Sequence, residues 1–249
     1  MRPGWFRSPA VAAASRARQA WFLLACLLVA AVLTPAPAAP RTLQDVLDQM
    51  DKAAAGFRNV VAELTYTKVT LIVDDKSVEK GIVYFQREPG KRDFKIKIEF
   101  REPARKTVLF KDSKGWIYRP AIAQVEEYDV GKNKQALEQF LLLGFGSPGH
   151  DLPKAYEVTL VGDVKLDGQD TVKLDLTPKS PGVARSIQKV ELWLSPLSWQ
   201  PVQQKFTEPT GDYLLAHYLS LKINGVLSRS EFDAPWRGKK VTVVRPQSG

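Results

Sequence analysis

From residue 58 onward, for most of the chain, apolar residues recur at every second position, the spacing that places them on one face of an extended strand. Ala62, Leu64 and Tyr66 alternate in one phase and Val69, Leu71 and Val73 in the other. That switch predicts a bulge near Thr67 and Lys68 and a strongly bent strand. Further runs cover 81–87, 93–101, 106–111, 116–119 and 124–130, then 155–163, 171–177, 186–195, 201–207, 212–223 and 228–233. Turn-forming stretches such as VDDKS, EPGKR, KDSKG, LDGQD and EPTGD separate them. About eleven consecutive strands with short connections imply a mainly β chain whose single antiparallel sheet curls on itself.

Two stretches break the alternation. Leu43, Val46, Leu47, Met50, Ala54 and Phe57 follow helical spacing, with Thr42 as a cap, Asp45 in the first turn and Gly56 at the exit. The window KNKQALEQFLLLGFG, 132–146, is the second, with Ala136, Phe140 and Leu143 on one side. Two amphipathic helices cannot coat so large a sheet, so they are expected to act as a plug or lid over its concave face.

The N-terminus carries Arg2, Arg7, Arg16 and Arg18, then the apolar run 21–33, then TPAPAAP. This is the pattern of a secretory signal, with cleavage expected after Ala38 to leave one domain over 39–249. The run of thirteen residues is short of the roughly 20 that span a bilayer as a helix. Cys26, the only cysteine, lies inside it; its lipidation, which would make an anchored acceptor, is disfavoured because the greasy stretch continues to Leu33. The formal charge of +9 falls to +5 when four arginines and no acid leave with residues 1–38. Charges of both signs alternate along the remainder, which is the pattern of a solvated face and excludes a nucleic-acid-binding reading.

Residue patterns for catalysis are scarce. Gly144, Gly146 and Gly149 formally spell G-x-G-x-x-G, but they follow a helix where a dinucleotide site requires a strand. His150 and His217 are the only histidines and have no metal spacing. Glu126 and Glu127 are neighbours on a strand and point to opposite faces, so they cannot flank one bond. Ser147 near His150 is the least unfavourable nucleophile and base. No enzyme, cofactor or metal is expected.

Apolar residues instead dominate in bulk. Phe85, Ile96, Ile98, Phe100, Trp116, Tyr118, Phe140, Leu192, Leu194 and Leu215 are the candidate lining of an interior cavity. Val83, Phe85 and Arg87 share one strand face, so a guanidinium closes an apolar row just before Pro89.

The order of these parts resembles the LolA-like periplasmic lipoprotein carriers over nearly all of the chain after residue 38. The opening helix LQDVLDQMDKAAAGF, the strand into Arg87, the segment EFREPARKTVLFKDSKGWIYRP, the helix LEQFLLLGFG, the hairpin LWLSPLSWQPVQQKFTEPTGD and the closing FDAPWRGKK carry the resemblance. It implies an incomplete, unclosed β-barrel with helices over its mouth, in a monomer that shelters the acyl chains of lipoproteins or related lipids. It implies an inner-membrane ABC transporter and an outer-membrane acceptor as partners, with transient membrane contact. A lipid-sensing module on the same fold is the alternative. The family's arginine at the end of an early strand hydrogen-bonds the lid, and Arg87 matches it. The unpaired carbonyls of a helix C-terminus attract such a cation, so its expected partners are Leu142, Leu143 and Gly144.

Overall fold

The computed structural model describes residues 41–87, 94–129 and 143–246. Helix α1, Leu43–Ala55, opens the described chain. Its start is fixed by a reciprocal capping box: Asp45 N–H donates to Thr42 Oγ1, and Thr42 N–H to Asp45 Oδ2 at 2.9 Å. The hydrogen bonds from Thr42 hold the Asp45 carboxyl below the usual aspartate value. Val46, Leu47, Met50 and Ala54 form its buried stripe.

Twelve strands follow: β1 (Asn59–Thr70), β2 (Asp75–Arg87), β3 (Phe94–Glu102), β4 (Lys106–Lys111), β5 (Lys114–Arg119), β6 (Gln124–Asp129), β7 (Tyr156–Leu166), β8 (Gln169–Pro178), β9 (Lys189–Leu194), β10 (Pro201–Thr207), β11 (Tyr213–Ile223) and β12 (Thr242–Val244). They make one sheet in the order β12-β6-β5-β4-β3-β2-β1-β11-β10-β9-β8-β7. Neighbours are antiparallel except β12, which runs parallel to β6. The sheet is mainly meander, and it closes on neither edge.

Two strand-level expectations are corrected. β1 stays in phase through Thr67 and Lys68, and its register shift lies at Val61/Glu63, opposite Ser220 with φ 53°. Val69 is still paired within β1, and the change of phase at Leu71 and Val73 arises because the chain has left the strand: Leu71–Val73 is one 3-10 turn, and Ile72 is 91% exposed. The expected strand at 228–233 is instead a 3-10 turn, Arg229–Phe232. Its role is packing, as Phe232 is 3% exposed.

The inner face carries two apolar cores. One joins α1 (Val46, Leu47, Met50) to Val172, Leu174, Leu176, Val190, Leu192 and Leu194 of β8 and β9. The other gathers Val60, Ala62, Leu64, Val83, Phe85, Phe94, Ile96 and Phe100 of β1–β3 with Phe57, Phe145, Ala216 and Tyr218. Each fully buried aliphatic side chain contributes about 1.5–3 kcal/mol, so both cores exceed what any surface ion pair supplies.

On the opposite face of β3–β6 lies the C-terminal arm. Its Trp236 ring is 6.2 Å from Trp116 and 5.6 Å from Tyr118. Glu231 pairs with the 6%-exposed Lys97 at 3.2 Å. The large apolar residues in both phases of β4 and β5 are thereby explained: this half of the sheet is covered on both sides.

Candidate functional site

Residues 143–146 form a strap that reaches into the barrel and touches both inner cores. Leu143, 4% exposed, belongs to the core beneath α1, while Phe145, also 4% exposed, belongs to the core of β1–β3. Phe145 meets Tyr218 edge-on at 5.0 Å. Three polar side chains hold the strap by its backbone. Arg87 Nη2 donates to the Gly146 carbonyl at 2.6 Å. Gly146 N–H donates to Gln200 Oε1 at 2.9 Å. Gln204 Nε2 donates to the Leu143 carbonyl, and Gln204 Oε1 accepts from Tyr218 Oη at 2.8 Å.

Burial lowers the pKa of the half-buried Arg87, because desolvation disfavours the charged form. An arginine guanidinium keeps its charge in proteins, so the bond to Gly146 is charge-assisted. Burial, with a smaller effect of Tyr66, pushes the Tyr218 phenol up, so it stays a neutral donor to Gln204. Gly146 has φ +56° and a Cβ there would lie 2.3 Å from Cδ1 of Phe57, so the strap approaches Phe57 more closely than any side chain permits. Phe57 stacks in turn on Phe85, at 5.5 Å and 25°. Gly149 packs against the backbone of α1, where a Cβ would sit 2.3 Å from the Leu47 carbonyl. The nucleotide-like glycine spacing thus serves a close-packed strap.

Beneath the strap is an apolar cavity of about 70 Å³ lined by Val60, Leu64, Phe85, Ile96, Phe145 and Tyr218, among others, with Gln204 at its polar end. That volume is far short of the roughly 300–1,000 Å³ of ordinary ligand pockets, and the side chain of Phe145 forms part of its wall.

The residues singled out from sequence fall in several places. Phe85, Ile96 and Ile98 line the cavity. Phe100 lies further along the same core, edge-on to Tyr66. Leu192 and Leu194, both fully buried, lie in the other core beneath α1. Trp116 and Tyr118 face the C-terminal arm on the far side of the sheet. Leu214 and Ala216 line the cavity, so strand alternation turns Leu215 to the opposite face. Arg87 stands at the end of β2 as expected, but its bond goes to Gly146 and not to Leu143 or Gly144. Leu142, Phe140 and most of the helical window 132–146 lie outside the described residues. Gln200, Gln204, Phe145 and Tyr218 were missed. Gln204 shares a strand face with Phe206, and the same polar-in-an-apolar-row test that exposed Arg87 would have found it.

Elsewhere, both ring nitrogens of His150 are engaged: Nδ1 lies 2.5 Å from Asp51 Oδ2 and Nε2 lies 2.6 Å from Gln44 Nε2. Burial acts to raise the Asp51 carboxyl, but its bonds and charge interaction with His150 hold it below the usual value. Asp48, Asp51 and His150 each offer a ligand atom within 4.8 Å of one another and could hold a metal, although this exposed junction is already bonded internally. His217 lies 3.7 Å from Asp167. Glu126 binds Arg119 on one face of β6 and Glu127 binds Trp116 on the other.

An open, strap-covered sheet with an apolar interior defines the class by its architecture: this is an unclosed β-barrel of the kind the resemblance to the LolA-like carriers implies. Among solved structures the chain is similar to MucB, known from Pseudomonas aeruginosa, with TM-score 0.51 and 16% identity over 81% of this chain and 65% of that one. It is similar to LprF from Mycobacterium bovis (TM-score 0.44, 13% identity, 76% and 96% covered) and to a LolA superfamily protein from Nitrosomonas europaea (0.38, 15%, 79% and 99%). At these identities the likeness concerns the fold alone, and the chain spans 65% of the length of MucB. No family model and no curated protein sequence matches it.

Proposed function

We propose that this protein is a periplasmic carrier that shelters the acyl chains of lipoproteins or related lipids, with Arg87 as the latch of its closed state. The observation that carries the reading is the pairing of an apolar cavity with a polar-held strap: Phe145 packs in the apolar core and lines the cavity, and Arg87, two residues beyond the lining Phe85 on β2, bonds the strap. An acyl chain of about fifteen methylenes costs on the order of 12 kcal/mol to expose to water. Such a chain cannot cross an aqueous compartment without a shelter. The closed cavity is too small to hold it, so uptake requires the strap to withdraw, and competition between strap and tail keeps the cargo releasable.

In this reading, cleavage after Ala38 yields the domain 39–249, which works as a non-enzymatic monomer between an inner-membrane ABC transporter and an outer-membrane acceptor. Lipid sensing is the second reading, favoured by the likeness to MucB, which has been solved in complex with MucA.

Native mass spectrometry of protein purified from periplasm is expected to find acylated species bound. In Arg87→Leu, loss of one charge-assisted hydrogen bond, worth about 1.5–3 kcal/mol before the regained desolvation cost, should tighten uptake of the dye N-phenyl-1-naphthylamine about tenfold. An empty wild type together with dye binding unchanged by Arg87→Leu would refute the carrier. Lipid bound only together with a fixed protein partner would select sensing.

A further inference from the structure

The turn that leads the chain away from the strap meets α1 in a cluster of side chains with which the strap is not held. Gln44, Asp48 and Asp51 are spaced four and three residues apart on α1, so they share one helix face. His150, in the 3-10 turn Gly149–Asp151, lies against that face, brought there by the packing of Gly149 on the Leu47 backbone. The two nitrogens of its ring have different neighbours. Nδ1 bonds Asp51 Oδ2, and a carboxylate only accepts, so in the neutral ring Nδ1 carries the proton and Nε2 presents a lone pair. That lone pair faces the Gln44 amide nitrogen at 2.6 Å and Asp48 Oδ1 at 3.6 Å. Gln44 Nε2 also donates to Asp48 Oδ1 at 3.1 Å, so one electropositive amide group sits between a nitrogen lone pair and a carboxylate oxygen. These are the surroundings that suit a metal cation. Two ligands of a tetrahedral zinc ion, at bond lengths of about 2.0–2.1 Å, stand about 3.3–3.4 Å apart. His150 Nε2 and Asp48 Oδ1 are already close to that separation.

We propose that this junction is a zinc-type transition-metal site, with His150 Nε2 and Asp48 as ligands, Gln44 offering Oε1 once its amide turns over, and Asp51 positioning the imidazole. A carboxylate on the far ring nitrogen fixes the tautomer and orientation of a ligating histidine and raises its basicity. The Asp51 bond is therefore one that the metal-bound state keeps, and only the Gln44 amide has to turn. The side chains of His150 and Asp48 are 44% and 50% exposed, so an ion reaches them from solvent. Imidazole together with carboxylate oxygen selects zinc and its neighbours in the first transition row over magnesium and calcium, which take oxygen ligands. The ligands lie on elements distant in sequence, so no motif spacing reveals them. A bound ion clamps α1 to the turn that follows the strap, whatever the cavity holds.

The test is calorimetric titration of the untagged protein with zinc chloride, paired with nitrogen NMR of its two imidazoles. Zinc is expected to shift the Nε2 resonance of His150 and to leave that of His217 in place. Asp51→Asn, which retains both ligands, is expected to weaken binding at the junction about 10–100-fold, and His150→Gln to abolish it. Gln44→Glu, which puts a carboxylate oxygen in place of an amide oxygen, is expected to tighten it about tenfold. At a free zinc concentration about one hundred times Kd, the His150 amide, which donates to Asp51 Oδ1 at 3.3 Å, should exchange with solvent about a hundredfold more slowly. The wild-type imidazole spectrum decides the matter even if a variant folds poorly. A His150 resonance unmoved by zinc, or equal binding by His150→Gln, would overturn the site. Binding indifferent to Asp51→Asn would overturn the positioning role, and unchanged exchange with zinc bound would overturn the clamp.

Discussion

Gly146→Ala tests whether the strap opens as a unit separable from the barrel. Position 146 has φ +56°, and the added methyl would lie 2.3 Å from Cδ1 and 2.7 Å from Cγ of Phe57. Left-handed backbone costs alanine about 1 kcal/mol. Forcing Phe57, 5% exposed and stacked on Phe85, out of the way costs about 1–3 kcal/mol more. The sum of about 2–4 kcal/mol falls on the closed strap, so its opening should become about thirty- to seven-hundred-fold more frequent. The assay is native-state hydrogen exchange. The amide of residue 146, which donates to Gln200 in the closed state, should exchange faster by that factor, while Leu174 and Leu192 in the other core stay within about threefold. Gly56→Ala is the control: Gly56 has φ −94° with nothing within 4 Å of an added Cβ, so its effect should stay within about 0.5 kcal/mol. Equal acceleration of the core amides would refute a separable strap. No acceleration at 146 would refute the close approach to Phe57.

Two further outcomes are expected. Burial acts to raise the Glu191 carboxyl, but the hydrogen bond from Lys173 and the charges of Lys173, Lys205 and Lys189 hold it below its unfolded value of 4.5. Its stabilising contribution is therefore present above pH 4.5 and lost as pH falls through the lower folded value. Glu191→Gln should flatten the fall of Tm between pH 5 and pH 3, and an unchanged slope would show that the lysine cluster does not couple to folding. Trp236→Ala should free the C-terminal arm from Trp116 and Tyr118, costing about 2 kcal/mol in thermal unfolding. Dye uptake in the cavity should stay the same, because the arm lies on the other face; a parallel loss of uptake would contradict that placement.

Alternation made the strands legible because one buried face enforces a period of two, and the Thr42 and Asp45 cap was readable because it is local in sequence. Alternation fixes which residues share a face without fixing which face is concave. Trp116, Tyr118 and Leu215 were assigned to the interior for that reason, and only the long-range packing of Phe232 and Trp236 reveals that the outer face is covered too. At β1 the apolar turn Leu71–Val73 imitated a change of phase. The partner of Arg87 was displaced by two residues, from Gly144 to Gly146, because carbonyl direction in an irregular segment depends on torsions such as the positive φ of Gly146. Gln204 was overlooked because glutamine in a strand reads as solvated until a core surrounds it.

The unjoined edges at β12 and β7 have a mechanical consequence. A sealed cylinder of strands has its bore set by strand number and stagger, and widening it means breaking backbone ladders. A sheet with a seam can uncoil or tighten by small changes of twist spread over all its strands, with every ladder intact. The interior of this protein can therefore vary in girth along with the strap, and in the proposed carrier the same hydrogen-bonded framework would accommodate tails of different length or number.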